Sequence, residues 1–454
     1  MKQSKSKFGL RSANVILLAA AAGANASAQD SLSWIPAKPA WLTDASVGVK
    51  ETYDDNIFLS GVDAKYLPKT YTVPPGSVAA LENMSSWITT VSPRVAVDFS
   101  PLLGSQSNVQ TLSLAYAPDF VTYHDASSES YDAQRAISAL KAKWGAFSVS
   151  LDNAFTYVDG SSTGPFYPGN LFNADMNSVV RERREQIQDK AAIALQYDWD
   201  QFFFRPVASL TYYDLMTTLY DASGYQNYAS RYDVNGGADI GYRVCPDVAF
   251  TLGYRYGHQY QQQFSFSPYS SPSDYQRVLV GMEGHPWKWL TVRISGGPDF
   301  RVYPGDTADH ITPVNDHHPI KPYGEASLIA ALTGKDTITF KFKEWQWVSS
   351  IGKVPYLETT YDLNYHRKVT EKLGFDLGGK ILSSDYTSGN LSTCVRNDWD
   401  YQAIAGVGYA FNSHVSVNLA YTLELGDNMA DDVVNPDTRS YIRNVVSLGA
   451  VFKF

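Results

Sequence analysis

Two cysteines, Cys245 and Cys394, are all that this chain of 454 residues contains. That is too few for a disulfide-stapled scaffold or a cysteine-based zinc site. Past the N-terminal region there is no run of about 18 apolar residues, so no helix of the chain spans a bilayer. Basic residues are outnumbered, 37 against 46, for a net charge of −9. This argues against nucleic acid as a partner. The eight histidines are mostly scattered, so the nucleophile–base pairing that an enzyme requires is not evident.

What the chain has in quantity is aromatics: 14% of residues, 31 of them tyrosine. Its first 28 residues have the form of a secretory signal. Lys2, Lys5, Lys7 and Arg11 make a basic start, Val15 to Ala22 is a short apolar run, and Ala26-Ser27-Ala28 is an A-x-A cleavage site. Removing it takes the charge from 37 − 46 = −9 to 33 − 46 = −13. Residues 29–44, with Pro and Trp, read as a lead-in with no room for a plug domain, and 45–454 as one β-domain.

That domain is read from alternation. Val91, Pro93, Val95, Val97 and Phe99 oppose Ser92, Arg94, Ala96 and Asp98. Leu290, Val292 and Ile294 oppose Thr291, Arg293 and Ser295, and Val415, Val417, Leu419, Tyr421 and Leu423 oppose Ser416, Asn418, Thr422 and Glu424. Period two over about 8–10 residues, one face greasy and one polar, is the pattern of a tilted membrane strand. Short connections fall near Gly145, Asp200, Pro246-Asp247, Pro286-Trp287, Gly334-Lys335, Val369-Thr370 and Asn412-Ser413. Long polar ones fall near 58–85, 124–131, 158–183, 218–230, 261–272, 303–319, 385–397 and 427–440. Trp144, Tyr197, Trp199, Trp287, Trp289, Tyr409 and Phe411 cluster near the short turns, as an interfacial girdle would. The fold class expected is all-β: a transmembrane antiparallel β-barrel of about 18 strands, with 16 to 20 open. One strand is irregular, because Glu344 follows Ile338, Phe340 and Phe342 on their face. A bulge or the barrel rim is expected there. The topology puts the two cysteines near opposite ends of the barrel, unpaired.

The last strand, Arg443 to Phe454, alternates and closes on an aromatic residue, as bacterial outer-membrane barrels do. Near the first strand stands Tyr53-Asp54-Asp55-Asn56-Ile57-Phe58-Leu59. With the signal and the terminal Phe, it resembles a family of bacterial outer-membrane β-barrel porins. Members carry a Y-x-D-N-I-F-like first strand and often accompany exopolysaccharide or exosortase-type systems. The resemblance implies an outer-membrane location among outer-membrane lipid. It also implies that Phe452 and Phe454 are a signal read by the barrel-assembly machinery. Asp54, Asp55 and Asn56 could offer oxygens to calcium, or could be a strand end whose side chains bond local backbone.

With the apolar face outward, the inward basic set is Lys50, Arg94, Lys141, Lys143, Lys190, Arg205, Arg255, Arg277, Arg293, Lys341, Lys343, Lys380 and Arg443. The inward acids are Asp98, Asp233, Asp239, Glu283, Glu325, Glu358, Asp362 and Asp376. The tally tilts positive. Basic residues around Arg255 to Arg293 face acids around Glu358 to Asp376, which predicts a transverse field. Arg181, Arg183 and Arg184, after the Pro- and Gly-containing loop at 158–183, are the candidate constriction. Asp306, Asp309, His310, Asp316, His317 and His318 form the densest cluster of potential metal ligands, in a loop where such residues also collect without a ligand role. No cofactor or metal is expected. The reading is a passive channel for small hydrophilic, anionic or sugar solutes. The alternatives are an export or assembly component for a surface polysaccharide, a barrel enzyme acting on lipid or glycan, and a sealed structural barrel.

Overall fold

The computed structural model describes residues 39–57, 85–104, 106–159, 185–216, 229–263, 268–349, 354–386, 396–430 and 441–454. The signal segment 1–28 and the candidate constriction residues Arg181, Arg183 and Arg184 lie outside these, as does Cys394. Nineteen strands make one antiparallel sheet closed on itself. In chain order they are β1 (Leu42–Asp54), β2 (Ser86–Asp98), β3 (Val109–Tyr116), β4 (Asp119–Tyr123), β5 (Tyr131–Trp144), β6 (Phe147–Asp159), β7 (Gln186–Trp199), β8 (Phe202–Asp214), β9 (Arg231–Cys245) and β10 (Val248–Gln261). The rest are β11 (Ser273–Trp287), β12 (Leu290–Val302), β13 (Ile320–Ala331), β14 (Asp336–Val348), β15 (Pro355–Lys368), β16 (Leu373–Tyr386), β17 (Arg396–Ala410), β18 (Val415–Ala430) and β19 (Tyr441–Lys453).

Nineteen strands make only eighteen staves, because β3 and β4 occupy one position between β2 and β5. The register does not slip between them: Val95 faces Tyr116 and Val91 faces Phe120. The gap falls at Pro118, which that register sets opposite Pro93. Neither proline has an N–H to give the ladder, so two opposed prolines interrupt pairing without ending the stave. The expected even number of strands is thus recovered in staves.

The outer wall carries the apolar face. Leu252, Val280, Ile320 and Leu448 are all more than half exposed on the isolated chain, which only a lipid surround makes reasonable. A girdle lies at the short-turn end, where Trp199 stacks on Phe202 at 6.2 Å and Trp287 on Trp289 at 5.8 Å. Tyr53 and Trp87, centroids 5.2 Å apart, stand at the long-loop end. The inner wall is tightened where an aromatic ring lies over a glycine. A Cβ on Gly241 would sit 2.0 Å from Phe203 Cζ, and one on Gly257 2.3 Å from Tyr275 Cζ, so both positions exclude a side chain. Cys245 is free and exposed at the short-turn end.

The first and last strands close the ring, from Ser46 opposite Lys453 to Asp54 opposite Val445. The Phe454 N–H reaches the Ala45 carbonyl at 2.9 Å, and Phe452 and Phe454 both face outward, exposed. At the other end of this seam the first-strand motif forms a clamp. Asp54, 1% exposed, accepts Arg443 Nε at 3.1 Å and an Arg443 terminal nitrogen at 2.7 Å. Asp55 accepts the Asn444 backbone N–H at 2.6 Å and its side-chain amide at 2.7 Å. The Asn56 amide donates to the Ile442 carbonyl at 3.1 Å. All three motif side chains are therefore engaged in the seam rather than grouped around a cation. Arg443 also holds Glu424 at 2.8 Å.

Asp54→Ala leaves the Arg443 guanidinium without its main partner in a largely buried seam, a change worth about 3 kcal/mol. The expected outcome is a lower unfolding midpoint in urea, read by the heat-modifiable electrophoretic mobility of the folded barrel. An unchanged midpoint would remove the clamp from the account.

Candidate functional site

The lumen holds a cavity of about 3070 Å³, lined among the described residues from the short-turn end, at Pro246 and His285, to Asp427, Tyr441 and Arg443 at the long-loop end. Its main obstruction among the described residues is a hairpin. β13 and β14 pair only as far as Gly324 opposite Glu344, whereas β14 and β15 continue to Val348 opposite Pro355. Past Glu344, β14 leaves the wall. Trp345, Gln346, Trp347 and Val348 are all buried, because the strand end bends inward and lies on the inner faces of β9, β10 and β12. The irregularity expected at Glu344 is this departure.

A strand that leaves its neighbour strips its backbone carbonyls of partners, and buried carbonyls must find others. Side chains of β9, β10 and β12 supply them. Gln259 Nε2 donates to the Gln346 carbonyl at 2.8 Å, joined by a terminal nitrogen of Arg301 at 3.2 Å. Arg231 donates to the Val348 carbonyl at 2.8 Å, and Gln261 to the Ser349 carbonyl at 2.7 Å. Beneath them Asp299 binds Arg277 at 2.7 Å and Arg301 at 3.0 Å. Asp233 accepts Tyr275 Oη at 2.9 Å and Gln259 Nε2 at 2.9 Å. On the lumen side, the Arg231 guanidinium sits 5.3 Å from the Tyr213 ring and 5.2 Å from the Trp347 ring. Trp345 and Trp347 stack at 4.4 Å, and Trp345 Nε1 donates to Glu358 at 3.0 Å.

The sequence-derived pore candidates divide into two groups. Arg205, Arg293, Lys341, Lys343, Glu358, Asp362 and Asp376 line the cavity. Arg94, Arg255 and Arg277 point inward but are held by carboxylates: Arg94 by Asp44 at 2.9 Å, Arg255 by Asp239 at 2.7 Å, and Arg277 by Asp299 under the hairpin. Arg205 is likewise bound, by Glu283 at 2.9 Å and Asp239 at 3.1 Å. The positive tilt of the tally disappears. The described lining has twelve basic side chains, from Lys50 to Arg443, and twelve acidic ones, from Asp98 to Asp427. Asp398, Asp400, Glu424 and Asp427 supply acids the inward set did not contain.

The signs are nonetheless segregated. Lys141, Lys143, Lys190, Arg205, Arg231 and Arg243 stand on β5 to β9, while Glu358, Asp362, Asp376, Asp398, Asp400, Glu424 and Asp427 stand on β15 to β18. These arcs face each other across eighteen staves. The basic wall thus lies on β5 to β9 rather than around Arg255 to Arg293, where Asp239 holds Arg255 and Asp299 holds Arg277.

A second order follows the hydrogen-bond direction. Arg243, Ala249, Glu283, Arg293, Ser327, Lys341, Asp362, Lys380, Gln402, Glu424 and Arg443 are successive cross-strand partners on β9 to β19. All of them line the cavity. Because barrel strands are tilted, this line climbs the wall from the short-turn end to the long-loop end. Its ends are ion-paired, Arg243 with Asp198 at 2.6 Å and Arg443 with Glu424. Its middle members, Arg293, Lys341, Asp362 and Lys380, form no ion pair among the described residues.

The histidine loop folds on itself. His310 Nε2 meets Thr312 Oγ1 at 3.0 Å and His317 Nδ1 donates to the Pro304 carbonyl at 2.9 Å. Asp306 accepts the Thr312 N–H at 2.9 Å and Asp316 the His318 N–H at 2.8 Å. No three metal-ligating side chains converge among the described residues.

No family model and no curated relative matches the chain. Solved structures that resemble it are outer-membrane proteins of Pseudomonas aeruginosa. OccK2 (OpdF), solved with glucuronate, is 11% identical over 90% of this chain and 98% of its own, with a TM-score of 0.40. OpdK, solved with vanillate, is 11% identical over 91% of this chain and 100% of its own, at 0.40. OccK3 (OpdO) is 10% identical over 90% and 95%, at 0.38. At that identity and TM-score the likeness carries no argument about solute.

Arg231→Ala removes both a carbonyl partner of the hairpin end and the cation between Tyr213 and Trp347. The hairpin end should loosen, so that single channels show a higher and noisier open conductance, by tens of per cent. Unchanged open steps would mean that the hairpin does not set the bore.

Proposed function

We propose that the chain is an outer-membrane channel through which small hydrophilic solutes diffuse passively. The observation that carries this is the pairing of an apolar outer wall with a continuous, charge-lined cavity running the length of a closed barrel. A barrel of this size leaves space that side chains do not fill. In this reading residues 1–28 are a cleaved export signal and the short turns face the periplasm. The long loops face outward, and Phe452 and Phe454 serve assembly in the membrane.

The mechanism is filtering without a chemical step. The inward hairpin narrows the bore. The opposed basic and acidic arcs make a field across it that aligns dipolar, hydrated solutes and disfavours apolar ones. Because the described lining balances its charges, bulk ion selectivity is weak, and the anionic preference suggested by the inward tally is not carried over. Asp54, Asp55 and Asn56 of the first-strand motif are engaged by the seam, and nothing among the described residues favours the polysaccharide-export alternative.

In a potassium chloride gradient the wild-type channel should reverse close to zero potential. Lys141→Glu combined with Lys190→Glu should move the reversal toward cation preference by reversing the sign of two members of the basic arc. Strong selectivity of the wild type for either ion would contradict a balanced lumen.

A further inference from the structure

From the unpaired middle of the climbing register line we infer a solute site for small zwitterions, molecules with an ammonium and a carboxylate on one short carbon skeleton. The inference rests on the channel reading and adds the solute class. Arg293, Lys341, Asp362 and Lys380 stand on β12, β14, β15 and β16, and all face the cavity. Lys341 is the direct cross-strand partner of Asp362, and Asp362 of Lys380. Directly opposed residues of antiparallel strands stand about 5 Å apart at Cα.

Two features make this arc a receptor rather than a set of internal ion pairs. First, none of the four forms an ion pair among the described residues, although their register would let them. Elsewhere on the inner wall opposite charges do close on each other, at Arg205–Glu283 and Arg443–Glu424. Second, Asp362 is oriented by its neighbour: the Asn364 side-chain amide donates to Asp362 Oδ1. One carboxylate oxygen is anchored, and Oδ2 accepts no bond from the described residues.

The sign pattern selects the ligand. A simple anion gains from Lys341 and Lys380 but meets Asp362 between them. A simple cation gains from Asp362 but is flanked by three positive charges. A neutral sugar would want an open aromatic platform, and the nearby tryptophans are closed to it, Trp345 being 8% and Trp347 2% exposed. A zwitterion places its ammonium on Asp362 and its carboxylate on Lys341 or Lys380, one stave away. Since the same charges continue along the climbing line, release from one pair leads to the next.

The test uses the full mature chain in proteoliposomes and compares swelling rates for alanine, N-acetylalanine, alanine methyl ester and alaninamide. These are closely related in skeleton and differ in which charges they bear. Alanine should enter faster than each of the other three by about threefold, the scale of one solvent-exposed ion pair. Asp362→Asn, nearly isosteric and on a wet wall, should bring alanine down to the rate of N-acetylalanine while N-acetylalanine speeds up. Its folding is checked by heat-modifiable mobility. The wild-type solute series tests the site even without the variant. Swelling with all four solutes and no advantage for alanine overturns this inference and leaves the channel standing. Swelling with none of them overturns both.

Discussion

A backbone in lipid must satisfy its own hydrogen bonds, and the rest of this structure depends on that constraint. An open sheet would present two raw edges to hydrocarbon. Eighteen staves avoid this only because β1 finds β19, so everything else rests on a seam between residues almost a whole chain apart. The seam has ladder bonds along its length and a charged clamp at its long-loop end, Asp54 and Asp55 against Arg443 and Asn444. A buried carboxylate is tolerated there because a guanidinium meets it in two places, leaving neither charge unpartnered. The short sequence motif of the first strand thus has a mechanical explanation.

The same constraint explains the one place where the wall opens. β14 parts from β13 above Gly324 and Glu344. Such an edge could not face lipid. It turns into the lumen, where glutamines and arginines of β9, β10 and β12 take the place of a neighbouring strand. Of those arginines, Arg301 is in turn balanced by Asp299. One departure from the ladder therefore puts a strand end inside the lumen and occupies Arg231, Gln259, Gln261 and Arg301.

Most of the barrel was legible in the sequence, because period-two alternation reports directly which face meets lipid. Val415 to Leu423 or Leu290 to Ile294 could be placed without a structure, and so could most of the turns. Two connections escaped. The one at 99–108 lacks a tight turn and contains a short 3-10 segment, Ser100–Leu103. The one after Ser349 escaped because the strand end before it, Trp345 to Val348, is buried throughout and so shows no contrast between faces. The break at Pro118 was hidden for a different reason, since it lies inside a stave whose register continues. The candidate site was less legible. Inward direction could be read for Arg94, Arg255 and Arg277, but their partners Asp44, Asp239 and Asp299 are set by cross-strand register, which a single strand's pattern does not contain. The acids of β17 and β18 balance the lumen for the same reason, and the alternating line from Arg243 to Arg443 exists only once the strands are laid side by side.

The account centres on an open lumen narrowed by a hairpin that belongs to the wall. Its most direct test is single-channel recording of the purified, refolded chain with uncharged polymers of graded size in the bath. The account predicts stable open steps that small polymers reduce and larger ones leave untouched, with a cutoff that rises when Arg231 is replaced by alanine. A folded barrel that never conducts, or one whose cutoff is indifferent to that replacement, would contradict it.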